Sequence, residues 1–395
     1  MSILSKCESY TRAREARENG LYPYFLNFDS HGAGTARLTG GRDVVMCGSN
    51  DYLGLSTDPR VTEAAATAAR RYGAGCTGSR FLNGNLDLHD HLEQELAKFF
   101  GKPAALVLTT GYQANLGAIS GLCGPGDTVL LDKEAHASLI DAARLSRADV
   151  QWFAHNDTID LTSKLDRLSQ PSRTLVVGDG VYSMEGDLCS LPELARVCRA
   201  YDATLLVDDA HGAGVLAEGR GTCAHYGLTD EVPLITLTFS KAFGSIGGAV
   251  LGDEQVIDYL RHHARSLMFS AGASPSNTAS VLEALSIVRS ETWRCDAVVA
   301  NADHMRQELM ALGYDVGASC TPIVPIKIRD ELSTLLAWKL LLAQGVYVNA
   351  ALPPAATPRL RTSYTAMQTD DHLRRALAGF AAVREQLSGT PARVT

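Results

Sequence analysis

Short apolar runs alternate with helix-like segments through the middle of the chain. Beginning at Ala104, seven runs are rich in aliphatic and β-branched residues: "AALVLT", "DTVLLD", "VQWFAH", "RTLVVGD", "ATLLVDD", "LITLTFS" and "GGAVLG". Several are apolar at successive positions, which is typical of strands whose two faces are both covered by helices. Most of the segments between them, such as "LPELARVCRAY", have helical spacing. The pattern therefore predicts an α/β fold with a mostly parallel sheet flanked by helices.

The pattern changes after about residue 273. Longer helical segments follow, "NTASVLEALSIVRS" and "VVANADHMRQELMALG", and then the strand-like "TPIVPIKI" and a final helical "DDHLRRALAGFAAVREQL". This order is typical of a smaller α+β C-terminal domain. We expect an N-terminal arm over residues 1–45, a large domain over 46–280 and a small domain over 281–395.

The composition is that of an ordinary globular protein with an acidic balance. The chain has 395 residues, is 46% hydrophobic and carries a formal net charge of −8. Nucleic-acid binding needs clustered Lys and Arg, so no nucleic-acid partner is expected. Nine scattered cysteines include no C-x-x-C pair, so neither a disulfide framework nor a metal site is expected. Without a signal-like or membrane-spanning run, we expect a cytoplasmic protein with no membrane span.

A glycine-rich stretch raises the possibility of a dinucleotide-binding loop. In "YGAGCTGSRFLNGN", Gly73, Gly75 and Gly78 have the spacing of such a fingerprint. The fingerprint works only where a strand ends and a helix begins, because the helix N-terminus holds the pyrophosphate. Here the helical "VTEAAATAARR" precedes the glycines, and irregular structure follows them. The context therefore argues against a nicotinamide enzyme.

Candidate catalytic residues lie where the predicted strands end, at the edge where open α/β sheets bind ligands. The run "ATLLVDD" ends in Asp208 and Asp209, which must point to opposite faces, so only one of them can enter a site. The run "LITLTFS" is followed by Lys241 and then by the small residues of "AFGSIGG". A pyridoxal 5'-phosphate (PLP) site needs a lysine that forms a Schiff base and an acid that pairs with the ring nitrogen. The two strand ends together therefore predict PLP as the cofactor.

Seven motifs extend this prediction to a family. "SNDYLG", "TTGYQANLG", "HASLID", "GVYSMEGD", "VDDAHGAG", "TFSKAFGSIGG" and "GVYVNAALPP…RLRTSYTA" occur in an order and spacing that resemble the α-oxoamine synthases, over about residues 20 to 385. The resemblance implies the fold type I PLP-dependent transferase architecture, with a mostly parallel seven-stranded sheet. It also implies a homodimer with shared active sites. The reaction would condense a small L-amino acid with an acyl thioester and release carbon dioxide.

The motifs divide between two groups of this family. "GSRFLNGN", "TTGYQANLG" and "GVYVNAALPP" look most like bacterial serine palmitoyltransferases, which favours L-serine and a role in sphingolipid biosynthesis. "VDDAHG" and "SMEGD" look more like 8-amino-7-oxononanoate synthases, which would favour L-alanine. The acyl donor, coenzyme A or an acyl carrier protein, stays open.

The resemblance also implies roles around the cofactor ring. Lys241 would form the Schiff base and later remove the Cα proton, and Asp208 would pair with the pyridine nitrogen. His211 would bond the ring hydroxyl, His136 would stack on the ring, and Ser183 would lie near the ring oxygen.

Further residues are assigned to the phosphate and the substrate in the same way. The backbone N–H groups of Gly111 and Tyr112, at a helix start that favours an anion, would hold the phosphate. The hydroxyl of Thr238, and that of Ser270 from the partner subunit, would add to this site. Three residues are assigned to the substrate: Asn50 beside it, Arg361 on its carboxylate, and Ser79 near its side chain.

Ser79 stands where glycine-using relatives carry threonine, so the pocket would have room for serine or alanine. The simpler alternative is that Ser79 fills a turn. Two departures from the family pattern, "FSAGASP" and Gln368 in place of a usual histidine, are expected to affect the acyl channel or the substrate pocket.

Two other classes of function stay open at this stage. An aminotransferase of the same fold would share Asp208 and Lys241 but would need no acyl thioester, and the "SNDYLG" and "GSR" motifs argue against it. A non-catalytic subunit that kept the fold for assembly should have lost its lysine, whereas Lys241 is present.

Overall fold

The structure is a computed structural model that describes residues 2–32 and 34–388. The helices are α1 (Ser5–Glu8), α2 (Arg12–Glu18), α3 (Pro59–Tyr72), α4 (Asp87–Phe100), α5 (Gly111–Leu122), α6 (Ala137–Ser146), α7 (Thr158–Leu165), α8 (Leu191–Ala200), α9 (Gly221–His225), α10 (Glu254–His263), α11 (Arg265–Met268), α12 (Pro275–Ser290), α13 (Trp293–Ala311), α14 (Glu331–Ala343) and α15 (Asp370–Ser388). A short 3-10 helix covers Pro171–Arg173.

The strands are β1 (Phe28–Gly32), β2 (Thr35–Leu38), β3 (Arg42–Met46), β4 (Ala104–Leu108), β5 (Thr128–Asp132), β6 (Asp149–Phe153), β7 (Thr174–Asp179), β8 (Thr204–Asp208), β9 (Leu234–Thr238), β10 (Gly248–Gly252), β11 (Ile323–Lys327), β12 (Val346–Tyr347), β13 (Asn349–Ala351) and β14 (Arg359–Ser363).

The chain divides into two compact units. The larger consists of Asn50–Ala300 with Thr365–Met367, and the other of Met1–Ser49, Asn301–Tyr364 and Gln368–Thr395. Helix α12 packs against α3 and α4, which keeps it in the larger unit beyond the expected limit at residue 280. An apolar pattern shows that a helix is buried but not which elements bury it. The three-part division at residues 45 and 280 stays a prediction.

The larger unit is built on one seven-stranded sheet. Its strand order is β4-β10-β9-β8-β7-β5-β6, and its strands correspond to the seven apolar runs of the sequence. Neighbours from β9 to β6 pair in parallel, whereas β10 is antiparallel to both β4 and β9. Strands β7, β9 and β10 are buried at every position. The structure thus confirms the predicted α/β fold with a mostly parallel sheet.

Helices cover the sheet with small and aliphatic side chains. On one side, Val129, Val177 and Leu206 of the sheet share a buried cluster with Ala118 of α5 and Leu139 of α6. Such burial contributes about 25 cal/mol per Å² of apolar surface removed from water. This packing fixes the sheet, and the ends of its strands determine where the following loops begin.

The other unit has two small sheets, ordered β1-β2-β3-β12 and β11-β14-β13. Helices α14 and α15 pack on these strands around a core that includes Val45, Trp338, Leu360 and Phe380. This arrangement confirms the predicted α+β character of the smaller domain.

One histidine fastens two loops at the carboxyl edge of the larger sheet. The His155 ring donates through Nδ1 to Asp132 at the end of β5 and through Nε2 to Asp187 in the loop after β7, both at 3.0 Å. Burial favours the neutral imidazole, but the hydrogen bonds with the two carboxylates outweigh burial and raise the pKa of His155 to about 10. His155 is therefore a cation at neutral pH that holds the two loops together.

We expect the variant His155→Gln to lower the free energy of unfolding by about 2 kcal/mol near pH 6, because hydrogen bonds to charged groups are lost. The folded-state pKa lies above the unfolded value of about 6.5, so this stabilisation is complete below that value and is lost as the pH rises through about 10. The difference between wild type and variant should therefore shrink steadily toward about pH 10. Urea unfolding followed by circular dichroism at several pH values measures it.

His91→Gln, at an exposed position of α4, is the matched control and should leave the unfolding curves unchanged. A His155→Gln deficit that is constant with pH would contradict the charged state assigned to His155.

Candidate active site

A cavity of about 250 Å³ opens at the carboxyl edge of the seven-stranded sheet. The loops after β4, β5, β7, β8 and β9 all contribute to its wall. Parallel strands bring these loops to one edge of the sheet. The candidate catalytic residues were predicted from the sequence to lie at this edge. Seven of the predicted site residues line the cavity: Gly111, Tyr112, His136, Asp208, His211, Thr238 and Lys241.

Only the first of the two strand-end aspartates reaches the cavity. The Asp208 carboxylate accepts hydrogen bonds from the Asn115 amide at 2.6 Å and from the backbone N–H of Ala210 at 3.1 Å. The Asp209 carboxylate accepts instead from the hydroxyl and backbone N–H of Thr222, at 2.6 and 2.7 Å. Burial raises the pKa of Asp209 to about 6. The alternation of the strand thus assigns one acid to the cavity and the other to packing.

Lys241 is the amine of the cavity. It lies three positions beyond β9, in the loop that also contributes Ser240 to the wall. The hydroxyl groups of Thr238 and Ser240 are 3.0 Å apart on the same side. Because β8 and β9 are neighbours, Lys241 and Asp208 enter one cavity from adjacent strands.

The N-terminus of α5 forms another part of the wall. The Thr110 side chain caps this helix by accepting from the N–H of Gln113 at 3.0 Å. At Gly111 a Cβ atom would lie 2.6 Å from Cβ of Thr238, so only glycine fits there. N–H groups of a first helical turn have no partner within the helix and attract anions. The first turn of α5, at Gly111 and Tyr112, therefore gives this part of the wall the chemistry that suits an anion.

Two histidines enter the cavity with defined partners. His136 caps α6, and its Nδ1 accepts from the N–H of Ser138 at 3.3 Å. Burial lowers the pKa of His136, although the charge of Asp208 opposes this and that of Lys241 supports it. The His211 ring lies 2.7 Å, through Nδ1, from the hydroxyl of the fully buried Tyr52. Hydrogen bonds thus hold both rings in place, from the backbone of Ser138 for His136 and with the Tyr52 side chain for His211.

Two polar residues that line the cavity and were not singled out from the sequence are Asn115 and Asp179. Asn115 lies one helical turn after Gly111, and Asp179 is the last residue of β7, so helix periodicity and strand ends could have indicated both. Asp179 accepts from the N–H of His136 at 3.2 Å. Burial and the charge of Asp208 raise the pKa of Asp179 well above its usual value. These effects disfavour the ionised form of Asp179.

Four predicted site residues of the larger unit lie outside the lining of this cavity. Asn50 accepts from the Tyr52 hydroxyl at 3.4 Å, and Ser270 accepts from the Gln113 amide at 3.2 Å. Ser183 is partly buried in the loop after β7. Ser79 is buried in the glycine-rich stretch of residues 72–85, called the glycine loop. Their assignment to cofactor or substrate stays a prediction.

Arg361 belongs to the other unit. It lies on β14, is buried, and donates through Nη1 to the Ser363 hydroxyl at 3.0 Å. Gln368, in the same unit, donates its amide to the Met46 carbonyl at 3.0 Å, so this departure from the family pattern has a structural use. The role of Arg361 toward a substrate carboxylate stays a prediction.

The glycine loop is a packed connection between helices. Helix α3 ends at Tyr72 and α4 begins at Asp87, so no strand-to-helix turn exists here. A Cβ atom at Gly84 would lie 2.0 Å from the carbonyl oxygen of Gly78, which explains the glycine. The same carbonyl accepts from the N–H of Gly272 in the "FSAGASP" stretch at 2.9 Å. The helix that the sequence predicts before the glycines is therefore present, and this helix rather than a strand immediately precedes them.

No helix within residues 2–32 and 34–388 has both the length and the apolar character of a membrane span. The same residues include no group of three or more His, Cys, Asp or Glu side chains arranged to hold a metal ion.

Known proteins resemble this chain along almost its whole length. The family model for aminotransferase class I and II matches residues 42–380. A serine palmitoyltransferase of Sphingobacterium spiritivorum is 46% identical over 388 residues, covering 97% of each chain. A solved serine palmitoyltransferase variant from S. paucimobilis, with a bound PLP–myriocin aldimine, is 32% identical with a TM-score of 0.95 and covers 99% of this chain and 100% of that chain.

A more distant solved structure, 8-amino-7-oxononanoate synthase from Francisella tularensis, shares the fold. It is 24% identical, with a TM-score of 0.75, and covers 87% of this chain and 99% of that chain. Together these likenesses confirm the fold type I architecture and the family predicted from the sequence motifs. The chain belongs to the aminotransferase class I and II family and, within it, to the α-oxoamine synthases.

Proposed function

We propose that the protein is a PLP-dependent C-acyltransferase that condenses a small L-amino acid, L-serine best, with an acyl thioester. The products are an α-amino ketone, carbon dioxide and a free thiol. One observation carries the proposal: the amine of Lys241 and the carboxylate of Asp208 line one cavity into which the N-terminus of α5 opens. The names of the relatives support the same reaction, since serine palmitoyltransferases match at 46% and 32% identity.

The cavity fits PLP by the chemistry of its wall. An anion position at Gly111 and Tyr112, beside the Thr238 hydroxyl, suits the phosphate. Asp208 suits a protonated ring nitrogen, and Lys241 suits the covalent link. When bound, PLP supplies an electron sink that stabilises negative charge at Cα of the amino acid. The predicted cofactor is confirmed by the family and by the solved relative that contains it.

The residues of this chain divide the remaining work. Asp208, held by Asn115, would keep the proton on the ring nitrogen. Lys241, which lines the same cavity, would take the proton from Cα and later return it. His211 would bond the ring hydroxyl from the position that Tyr52 gives it. Arg361 would bind the substrate carboxylate with the two parallel N–H groups of its guanidinium.

Substrate choice must come from the groups around the amino-acid side chain, since Arg361 recognises what all amino acids share. The Ser79 Oγ atom is buried and has no hydrogen-bond partner among the residues that the structure describes. A buried hydroxyl without a partner costs about 1–3 kcal/mol. Ser79 lies outside the cavity lining, and its place near the substrate side chain is the assignment made from the sequence. With that assignment a substrate hydroxyl would be its partner, which favours L-serine over L-alanine and glycine. The proposal also includes three further points: an acyl carrier that is coenzyme A or an acyl carrier protein, a homodimer, and a cytoplasmic location.

The first prediction for this function concerns Lys241. Purified protein should be yellow, and borohydride should fix the cofactor to the chain. Lys241→Ala should lose the borohydride-fixed adduct and all turnover, because no other described lysine lines the cavity. Peptide mass spectrometry after reduction locates the adduct. An adduct that persists on the variant would refute the assignment.

The second prediction compares the two adjacent aspartates. Asp208→Asn should keep the fold and reduce kcat at least about a hundredfold, because a neutral amide cannot hold the ring proton. Asp209→Asn is the matched control. It should lower the melting temperature, since Thr222 loses a charged acceptor, but change kcat far less. Steady-state kinetics with thermal unfolding separates the two effects, and equal losses of kcat would contradict the assignment of Asp208.

The third prediction concerns amino-acid choice. Wild type should prefer L-serine over L-alanine and glycine by roughly ten- to a hundredfold in kcat/KM. Ser79→Thr should crowd the pocket and move the preference toward glycine, whereas Ser79→Ala should lower the ratio of serine to alanine. Thiol release with acyl thioesters of graded length measures these ratios. A wild type that already prefers glycine, or ratios that do not change in Ser79→Thr, would refute the pocket argument.

A further inference from the structure

The amide side chain of Asn115 in the wall of the cavity contacts Asp208 directly and reaches His136 through Ser138. Asn115 is 2% exposed and lies on α5. Its Nδ2 atom is 2.6 Å from Oδ2 of Asp208 and 2.8 Å from Oγ of Ser138. Its Oδ1 atom is 2.6 Å from Oγ1 of Thr236. All the hydrogen-bonding groups of the amide except one oxygen lone pair are thus used.

The orientation of this amide follows from its surroundings. Thr236 and Asp208 are register partners on β9 and β8, so both side chains lie on the sheet face that α5 covers. The buried Thr236 hydroxyl donates to Oδ1 of Asn115. The reversed amide would place its oxygen against the Asp208 carboxylate, two acceptors with no proton between them. Asn115 therefore directs both of its N–H groups to Asp208 and Ser138.

This polarity passes through Ser138 to His136. The backbone N–H of Ser138 points at Nδ1 of His136, at 3.3 Å, so Nδ1 is an acceptor. The Ser138 hydroxyl, whose oxygen accepts from Asn115, lies 2.7 Å from the same Nδ1 and therefore donates its one proton to it. An Nδ1 atom that accepts carries no proton. The ring proton of His136 is then on Nε2, and the imidazole is neutral.

We propose that Asn115 is a positioning residue that aims the Asp208 carboxylate and, through Ser138, sets His136 as the neutral imidazole with its proton on Nε2. The proposal rests on the proposed function in one respect, that these two residues would contact a cofactor ring with a protonated nitrogen. An anion at the ring nitrogen and a neutral imidazole on the ring face both suit such a ring, whereas an imidazolium would repel it. One amide thus matches both contacts.

The test reads the protonation of His136 directly. In holoenzyme labelled with [15N]histidine, long-range 1H–15N correlation distinguishes protonated from unprotonated ring nitrogens, and His136→Gln assigns the signals. Wild type near pH 7.5 should show an unprotonated Nδ1 and a protonated Nε2. A wild-type imidazolium, or a proton on Nδ1, would overturn the proposal.

Variants then test whether Asn115 is the cause. Asn115→Asp has the same shape but places an acceptor against Asp208 and Ser138, so the Ser138 proton is drawn away from His136. We expect the His136 signals to change and the affinity for PLP, measured by equilibrium dialysis, to fall roughly ten- to a hundredfold. Unchanged signals and affinity in a folded variant would overturn the proposal.

A matched pair at Thr236 covers the case in which Asn115→Asp does not fold. Thr236→Val removes the hydroxyl that orients the Asn115 amide but keeps the shape of the threonine side chain. Thr236→Ser retains the hydroxyl. Thr236 is fully buried and does not line the cavity. The His136 signals should change in Thr236→Val and should stay as in wild type in Thr236→Ser. Equal spectra for the pair would overturn the proposal. Absence of acyltransferase activity in a wild type with the expected His136 signals would count against the proposed function alone.

Discussion

Buried negative charge at one edge of the sheet is the constraint on which the site depends. Strands β5, β7 and β8 are neighbours, and each ends in an aspartate: Asp132, Asp179 and Asp208. All three are buried, and Asp179 and Asp208 are register partners, so their carboxyl groups lie side by side. Removing carboxylates from water is costly unless each is paired, hydrogen-bonded or protonated. The surrounding residues are arranged to meet that cost in three different ways.

Each aspartate is stabilised by a different type of partner. Asp132 is paired with the His155 cation, which also binds Asp187. Asp179 favours protonation, since burial and the charge of Asp208 raise its pKa. Asp208 also lines the cavity and accepts a hydrogen bond from the Asn115 amide. The three carboxyl groups are chemically alike, but their partners differ. Asp208 is the one assigned to the cofactor, whereas Asp132 and Asp179 hold the loops.

This arrangement links the stability of the loops to the geometry of the site. Asp132 ends the strand before His136, and Asp187 follows Val181, which lines the cavity. The His155 contacts therefore hold two segments of the cavity wall. Asn115 lies in the cavity wall itself. Its amide connects Asp208 at the end of β8 with Ser138 at the start of α6. Hydrogen bonds of this kind hold the side chains of the site in position before a ligand binds, so that little further ordering is needed.

Local pattern was enough to predict the strands and the principal chemistry. The seven apolar runs became the seven strands of the main sheet, because side-chain burial on both faces leaves a direct mark in the sequence. Asp208 and Lys241 could be identified because strand ends in such a sheet converge at one edge. The motifs then supported the family and the cofactor. Alternation along β8 also required that Asp208 and Asp209 differ in role.

Only the tertiary structure decided which side chains support these groups. Asn115 is 93 positions from Asp208 and 121 from Thr236 in the sequence, and His155 is 32 positions from Asp187. No local periodicity relates such positions, because their contacts depend on how α5 packs over β8 and β9 and on where the loops after β6 and β7 meet. By itself the sequence determined the strands, the reactive residues and the family. Packing determined which donor each buried carboxylate has, since a hydrogen bond requires a distance and a direction that residue order does not specify.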